Sequence, residues 1–203
     1  MKIICVGRNY AAHASELKNP VPDEPVLFMK PDTAIPQART PFYIPDFSND
    51  VHHEVEMVLK INKMGKNIDE KFASNYYSEI AVGIDFTARD LQNKLKEKGL
   101  PWEKAKAFDG SAPVSAFINI SEFPDKKNIN FKLLKNKEAV QSGNTREMIF
   151  NFNKLVSYIS KYFTLKKGDL IFTGTPAGVG KVNAGDKLEA FIEDKLMLKV
   201  NVK

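Results

Sequence analysis

The chain has 203 residues, 43% hydrophobic and 27% charged, which suits a single globular domain with a real core. Its one cysteine excludes an internal disulfide and fits a reducing cytosol, and one Cys with three His excludes a Cys/His zinc site. No apolar run approaches membrane-spanning length. The net charge is +5, but the basic residues are interspersed with acidic ones. We therefore expect a cytoplasmic protein with no membrane and no nucleic-acid partner.

Short strands dominate the predicted secondary structure. Alternating polarity or a short apolar run between turn residues marks each of them. They lie at residues 2–6, 26–29, 52–61, 80–86, 112–120, 130–134, 138–142 and 170–173, with a terminal hairpin over 186–202. Helical spacing and stop signals predict helices at 9–17, 87–98 and 148–162. This pattern favours an α+β fold, a β-rich mixed roll or distorted barrel with a few short helices, over a parallel βαβ sheet.

Three acidic residues on two neighbouring predicted strands form the main chemical signal. The alternation over 52–61 puts Glu54 and Glu56 on one side of a strand whose other side faces a core. Asp85 ends the next apolar strand, where an unpaired buried carboxylate would be costly. If the three converge, they need a cation, and all-oxygen ligation favours Mg²⁺, Mn²⁺ or Ca²⁺. The alternative is that Glu54 and Glu56 lie on a solvent-exposed strand face and that Asp85 is a turn residue.

A second signal is an acid–base pair on the first predicted helix. His13 and Glu16 lie three positions apart, so their side chains can meet. A carboxylate that orients an imidazole makes the histidine a better general base, which can activate water. The alternative is a surface pair worth a few tenths of a kcal/mol.

Further polar residues lie near these two signals in the sequence. Arg89 and Gln92 share a face of the helix that follows Asp85, and Lys106 could stabilise a carboxylate or a developing enolate. All three could equally be solvated. The segment 174–181 fails as a phosphate-binding P-loop, because the spacing from Gly174 to Gly180 is one residue too long and Val182 follows where Ser or Thr is needed. It fits better as a tight turn that offers backbone N–H groups and the Thr175 hydroxyl to an anion.

Together these segments resemble the fumarylacetoacetate hydrolase family. The resemblance covers nearly the whole chain, and six motifs occur in the family's order. They are residues 7–13, 24–31, 52–56, 85–90, 104–109 and 168–176. The chain resembles most the short acylpyruvase and oxaloacetate decarboxylase branch. It departs from fumarylacetoacetate hydrolase itself, because residues 8–10 read Arg-Asn-Tyr where the larger enzyme supplies a further carboxylate ligand.

The resemblance implies a site and an assembly. It implies one domain over 1–203, a homodimer, and Mg²⁺ (or Mn²⁺) bound by the three acids. It also implies a lid at about 13–24 that brings His13 and Glu16 over a small 2-oxo acid, with Lys106 as a third catalytic residue. The implied substrate-binding residues are Arg8, Tyr10, Lys30, Arg89, Gln92, Gly174 and Thr175.

The activity expected from the resemblance is cleavage of the C3–C4 bond of acylpyruvates, decarboxylation of oxaloacetate, or both. The metal would act as a Lewis acid for a pyruvate enolate, with Lys106 and Gln92 assisting. His13 would activate water for acylpyruvate hydrolysis, whereas oxaloacetate would only lose CO₂. The alternative is an isomerase or tautomerase on the same site, such as a hydroxymuconate-type isomerase or an oxaloacetate tautomerase. A non-catalytic metal-stabilised module would need further protein ligands.

Overall fold

Strands account for most of the regular structure. The structure is a computed structural model and describes residues 1–17, 20–37 and 40–203. Its strands are β1 (Ile3–Gly7), β2 (Val26–Lys30), β3 (Val51–His53), β4 (Val55–Ile61), β5 (Tyr77–Ile84), β6 (Thr87–Ala88), β7 (Ile118–Asn119), β8 (Asn130–Lys135), β9 (Glu138–Asn144), β10 (Leu170–Phe172), β11 (Gly180–Lys181), β12 (Lys187–Ile192) and β13 (Lys195–Asn201). Its α-helices are α1 (Ala11–Glu16), α2 (Arg89–Glu97), α3 (Glu103–Lys106) and α4 (Phe152–Tyr162).

These strands form three sheets. The largest has six strands in the order β2-β1-β10-β4-β5-β7, and only β1 and β10 are parallel in it. A three-stranded sheet has the order β11-β3-β6, and a four-stranded sheet has the order β13-β12-β8-β9. The predicted β-rich mixed roll with few helices is confirmed. No sheet closes into a barrel among the described residues.

The six-stranded sheet is buried on both faces, which explains its apolar strands. On β1, Ile4 and Val6 join a large core with α4 and the four-stranded sheet, while Ile3 and Cys5 join a smaller core on the opposite face. Strand β4 has the same environment, because Met57 belongs to the large core and Val58 to the small one. The prediction that only one side of residues 52–61 faces a core is therefore wrong.

That predicted strand is also broken at Glu54. Residues before the break pair with β6 and β11, whereas residues after it pair with β5 and β10. The chain thus changes sheets at Glu54, and alternation alone cannot show such a change because both halves keep a period of two. The break puts the Glu54 side chain at the junction of two sheets.

Other predicted elements differ at their ends. The second helix starts at Arg89 and not at Thr87, which forms the short strand β6. Asp90 is not part of a capping box there, since its carboxylate accepts hydrogen bonds from Ser48 Oγ (2.6 Å) and Asn49 N (3.1 Å). The strand predicted over 112–120 is reduced to Ile118–Asn119. No described helix is long and apolar enough to span a membrane.

A buried carboxylate joins the start of β1 to the start of β10. Asp169 accepts hydrogen bonds from the backbone N–H groups of Lys2 (2.9 Å) and Lys166 (2.8 Å), and it pairs with the Lys2 ammonium. Burial raises the pKa of Asp169, but these hydrogen bonds and the Lys2 charge lower it below its ordinary value. The ionised carboxylate therefore stabilises the sheet.

We predict that Asp169→Asn lowers the free energy of unfolding by about 2 kcal/mol at neutral pH, because a charged acceptor is lost. Since the folded pKa is lowered, this contribution is complete above the ordinary carboxyl pKa and is lost as pH falls through the folded value. Urea unfolding should therefore show the two proteins converging in acid. Asp194→Asn, at a fully exposed position, is the control. Equal stabilities at neutral pH would contradict the prediction.

Candidate active site

Glu54, Glu56 and Asp85 converge at one buried point. One carboxylate oxygen from each lies within 4.8 Å of the others, and all three residues are buried. The fold produces this convergence because β4 and β5 are paired and Val55 lies opposite Ile84. The backbone N–H of Asp85 also donates to the carbonyl of Glu54 at 2.8 Å. The sheet therefore holds the acids together.

Lys106 lies among these acids. Its ammonium donates to Glu54 Oε2 (2.8 Å), Asp85 Oδ2 (2.6 Å) and Thr87 Oγ1 (2.6 Å). The short helix α3, absent from the prediction, directs this side chain inward, and Lys106 is only 3% exposed. Burial lowers the pKa of Lys106, but Asp85 and Glu54 outweigh it and raise the pKa above its ordinary value. Lys106 is therefore a buried permanent cation at the site.

Two more cations complete the charge balance. Arg89 donates to Glu54 through one nitrogen and to Gln92 Oε1 (2.6 Å) through another. Lys30 is buried and its ammonium lies 2.8 Å from Asp85 Oδ1. With Lys106, these residues place three buried cations against three carboxylates.

The pKa values of Glu54 and Glu56 shift in opposite directions. Burial raises the pKa of Glu54, but Lys106 and Arg89 outweigh it and hold the pKa well below its ordinary value. The pKa of Glu56 is raised, first by burial and then by the neighbouring Asp85 and Glu54 charges. Its carboxylate accepts a hydrogen bond from the Gly174 N–H (2.7 Å) and has no ion-pair partner in the described part of the chain. Glu56 is thus the acid that still lacks a cation.

The donor set suits a hard divalent cation. Three carboxylates supply only oxygen ligands, and Mg²⁺ or Mn²⁺ prefers such ligands. Asp85 Oδ1 lies 2.8 Å from the Lys30 ammonium and accepts no other contact from residues 1–17, 20–37 or 40–203, so it keeps a lone pair for a metal. Three ligands would leave further coordination positions for oxygens of a substrate or of water.

The predicted acid–base pair lies at the same cavity. His13 is buried, lines the cavity with the three acids, and its Nδ1 is 3.2 Å from Glu16 Oε2. The second Glu16 oxygen accepts a hydrogen bond from the Gly178 N–H (3.0 Å). The pair is therefore attached to the glycine-rich turn. The predicted lid over 13–24 includes residues 18 and 19, which lie outside the described residues.

The remaining predicted residues occupy different positions. Arg8, Arg89, Gln92 and Thr175 line the cavity together with the acids. Gly174 instead presents its N–H to Glu56; its φ of +101° and a Cβ position 2.6 Å from the Asn9 Cβ require glycine. Lys30 and Tyr10 do not line the cavity. Lys30 forms an ion pair with Asp85, and Tyr10 packs edge-on against Phe131. Their roles in substrate binding stay predictions.

Gln141 is a polar residue that sequence reasoning missed. Its amide oxygen accepts a hydrogen bond from Val55 N (3.0 Å) and lies 2.9 Å from His53 Nδ1. Its amide nitrogen donates to Thr175 Oγ1 (2.8 Å) and to the carbonyl of Pro176 (3.0 Å). Gln141 therefore joins the strand that carries the acids to the turn that carries Thr175. A single Gln in a predicted strand offers no sequence signal for this role.

Lys96, Trp102 and Phe28 were also missed, although they line the cavity. Lys96 could have been found, because Arg89, Gln92 and Lys96 follow the spacing of one helix face. The cavity measures about 40 Å³. This volume holds a few water molecules, and the cavity is partly open to solvent.

Comparison with known proteins identifies the family. Residues 2–203 match the sequence profile described as "Fumarylacetoacetate (FAA) hydrolase C-terminal". The chain belongs to the fumarylacetoacetate hydrolase family. The resemblance predicted from the six motifs is thereby confirmed.

Three members of the family show how close the similarity is. "Oxaloacetate tautomerase FAHD1, mitochondrial" of Bos taurus is 44% identical over 200 residues, which cover 98% of this chain and 90% of that protein. "Oxaloacetate decarboxylase, mitochondrial" of Dictyostelium discoideum is 44% identical over 192 residues, 94% of this chain and 88% of that protein. The crystal structure of fumarylpyruvate hydrolase from Pseudomonas aeruginosa, in complex with Mn²⁺ and pyruvate, has a TM-score of 0.93 and 37% identity, covering 100% of this chain and 89% of that one.

We predict opposite effects for two matched substitutions, measured by urea unfolding in EDTA. Glu54→Gln should lower the free energy of unfolding by about 3 kcal/mol, because Arg89 and Lys106 lose a buried counter-charge. Glu56→Gln should change it by less than about 0.5 kcal/mol or raise it, because the amide relieves repulsion and its oxygen can still accept from Gly174. Equal destabilisation by the two substitutions would contradict this assignment of charge.

Proposed function

We propose that this chain is a divalent-metal-dependent enzyme that stabilises the enol or enolate form of oxaloacetate or a related small 2-oxo acid. The observation that carries the proposal is Glu56, a buried carboxylate with no cation partner among the residues that the structure describes, in a cavity that also contains Lys106, Gln92 and Arg89. The proposed metal ligands are Glu54, Glu56 and Asp85.

The relatives support this choice of substrate and cofactor. Two of them are named for reactions of oxaloacetate, and a third was crystallised with Mn²⁺ and pyruvate. A bound Mg²⁺ or Mn²⁺ would supply a Lewis acid for the 2-oxo group and its neighbouring carboxylate. The oxygen-only donor set suits either ion.

The residues of the chain then supply binding and charge. The Lys106 ammonium remains protonated because of Asp85 and Glu54, so it can stabilise negative charge that develops on a substrate oxygen. Gln92 receives a hydrogen bond from Arg89 on its oxygen, which leaves its amide nitrogen to donate to the substrate. Thr175, whose hydroxyl oxygen accepts a hydrogen bond from Gln141, adds a hydroxyl to the lining of the cavity.

Oxaloacetate tautomerisation is the first candidate reaction, since it requires only that a proton moves between C3 and the enol oxygen. The His13–Glu16 pair favours a second candidate, cleavage of an acylpyruvate by water. Because Nδ1 faces Glu16, Nε2 is the ring nitrogen left to accept a proton from water or from C3. We propose that the segment carrying this pair acts as the lid, because His13 and Leu17 line the cavity that contains the three acids.

Location and assembly stay predictions. Composition predicts a cytoplasmic protein, while the two eukaryotic relatives described above are named mitochondrial. The homodimer and the single domain over 1–203 rest on the family resemblance. The match over 2–203 supports one domain.

The test supplies the enol of oxaloacetate and measures both loss of its ultraviolet absorbance and release of pyruvate, with Mn²⁺ and with EDTA. We expect Mn²⁺-dependent loss of the enol above the uncatalysed rate. Pyruvate formed in parallel, or from acetylpyruvate, would add the cleavage reaction. Lys106→Met should lower every activity about 100-fold or more, because a charge that stabilises the enolate is lost. Activity that is the same in EDTA would contradict the proposal.

His13→Ala tests whether the His13–Glu16 pair activates water. If the pair activates water, kcat for acetylpyruvate hydrolysis should fall about 100-fold while metal affinity stays unchanged. Decarboxylation of oxaloacetate should change far less, because it needs no water. Ser15→Ala, an exposed position on the same helix, is the control. A loss of metal affinity in His13→Ala would contradict this assignment.

A further inference from the structure

Two cations that line the cavity form no ion pair within the described part of the chain. Arg8 and Lys96 both line it and are half-buried, yet neither forms an ion pair or a side-chain hydrogen bond with any residue in 1–17, 20–37 or 40–203. The other cations of the site are all engaged, with Glu54 or Asp85 as their partners. The cavity therefore has an unused positive charge that the carboxylates do not need.

Lys96 is directed to the cavity by the geometry of α2. Arg89, Gln92 and Lys96 follow the spacing of one helix face, and Arg89 lies at the acid end of the site. Seven residues advance a helix by roughly 10 Å, and helical side chains lean back toward the N-terminus by about one turn. The Lys96 ammonium is thus placed beyond Arg89 and Gln92, farther from the three carboxylates.

Arg8 lines the same cavity as Lys96. Burial lowers the pKa of Lys96 and the charges of Arg8 and Arg89 lower it further, whereas the charge of Glu54 raises it. Arg8 has a φ of 59°, a left-handed conformation that is unfavourable for a long side chain and is concentrated at functional sites. Trp102 forms an adjoining wall, since its ring lies 3.7 Å from the position of a Cβ on Gly7.

We propose that Lys96, with Arg8, binds the second carboxylate of a dicarboxylic 2-oxo acid, and that this pair makes the enzyme prefer such dianions to 2-oxo acids with an uncharged distal end. The inference rests on the proposed function, because the 2-oxo acid group of the ligand must occupy the acid end. Two like charges held close together without an anion repel each other, and a bound carboxylate would relieve that repulsion. The half-buried position beside Trp102 strengthens the attraction.

The first experiment measures binding and needs no turnover. Calorimetry on the Mn²⁺-loaded protein compares 2-oxoglutarate with its 5-methyl ester, which differs in the distal charge. We expect the wild type to bind the dianion about tenfold more tightly, and Lys96→Met to bring the two dissociation constants within about twofold. Lys96→Arg should retain the preference because it keeps the charge.

Two further variants control for structural effects. Lys94→Met removes a lysine from the exposed side of the same helix, and it should bind both compounds as the wild type does. Arg8→Asn removes the second cation while retaining a residue that tolerates the left-handed conformation, and it should also reduce the preference. Thermal unfolding of each variant reports whether the fold is kept.

The possible results distinguish a failure of the carboxylate subsite from a failure of the proposed function. A dianion preference that persists in Lys96→Met, or an equal loss of both ligands, would overturn the carboxylate subsite and leave the proposed function standing. Failure of the Mn²⁺-loaded wild type to bind either compound would overturn the subsite, and the proposed function would fall with it only if the Mn²⁺-dependent loss of the oxaloacetate enol were also absent. A kinetic check compares kcat/KM for oxaloacetate and acetylpyruvate; the ratio should fall about tenfold in Lys96→Met and be unchanged in Lys94→Met.

Discussion

The burial of three carboxylates beside one another is the constraint on which the site depends. Such a cluster is unfavourable unless cations and hydrogen bonds compensate its charge. Lys106, Arg89 and Lys30 compensate Glu54 and Asp85, yet they leave Glu56 with a backbone N–H as its partner. A divalent cation among the acids would meet that need and would leave the whole site positive, which suits an anionic 2-oxo acid.

The fold brings the parts of the site together through connections between its sheets. The change of sheet at Glu54 aims one acid into the space between two sheets, while β4 and β5 fix the other two. The turn over 174–180 connects the rest. Its backbone donates to Glu56 and Glu16, and its Thr175 is held by Gln141. The proposed base and the proposed metal ligands are therefore supported by one turn, which couples their positions.

The sequence could predict much of this, and physical reasons explain what it could not. The convergence of the acids followed from strands that carry them at a period of two, and the roll followed from many short strands. The break at Glu54 could not be predicted because alternation continues through it. Helix α3 could not be predicted because its surroundings are rich in turn formers, and Gln141 could not because a buried hydrogen-bond network has no periodic pattern.

The proposed metal site can be tested by a crystal structure of the protein with Mn²⁺, in which anomalous scattering locates the ion. We expect one peak per chain, within ligand distance of an oxygen from each of Glu54, Glu56 and Asp85, with the Lys106 ammonium moved away from the acids to accommodate it. A protein that binds no Mn²⁺ there and keeps Lys106 between Glu54 and Asp85 would show that these acids do not form a metal site.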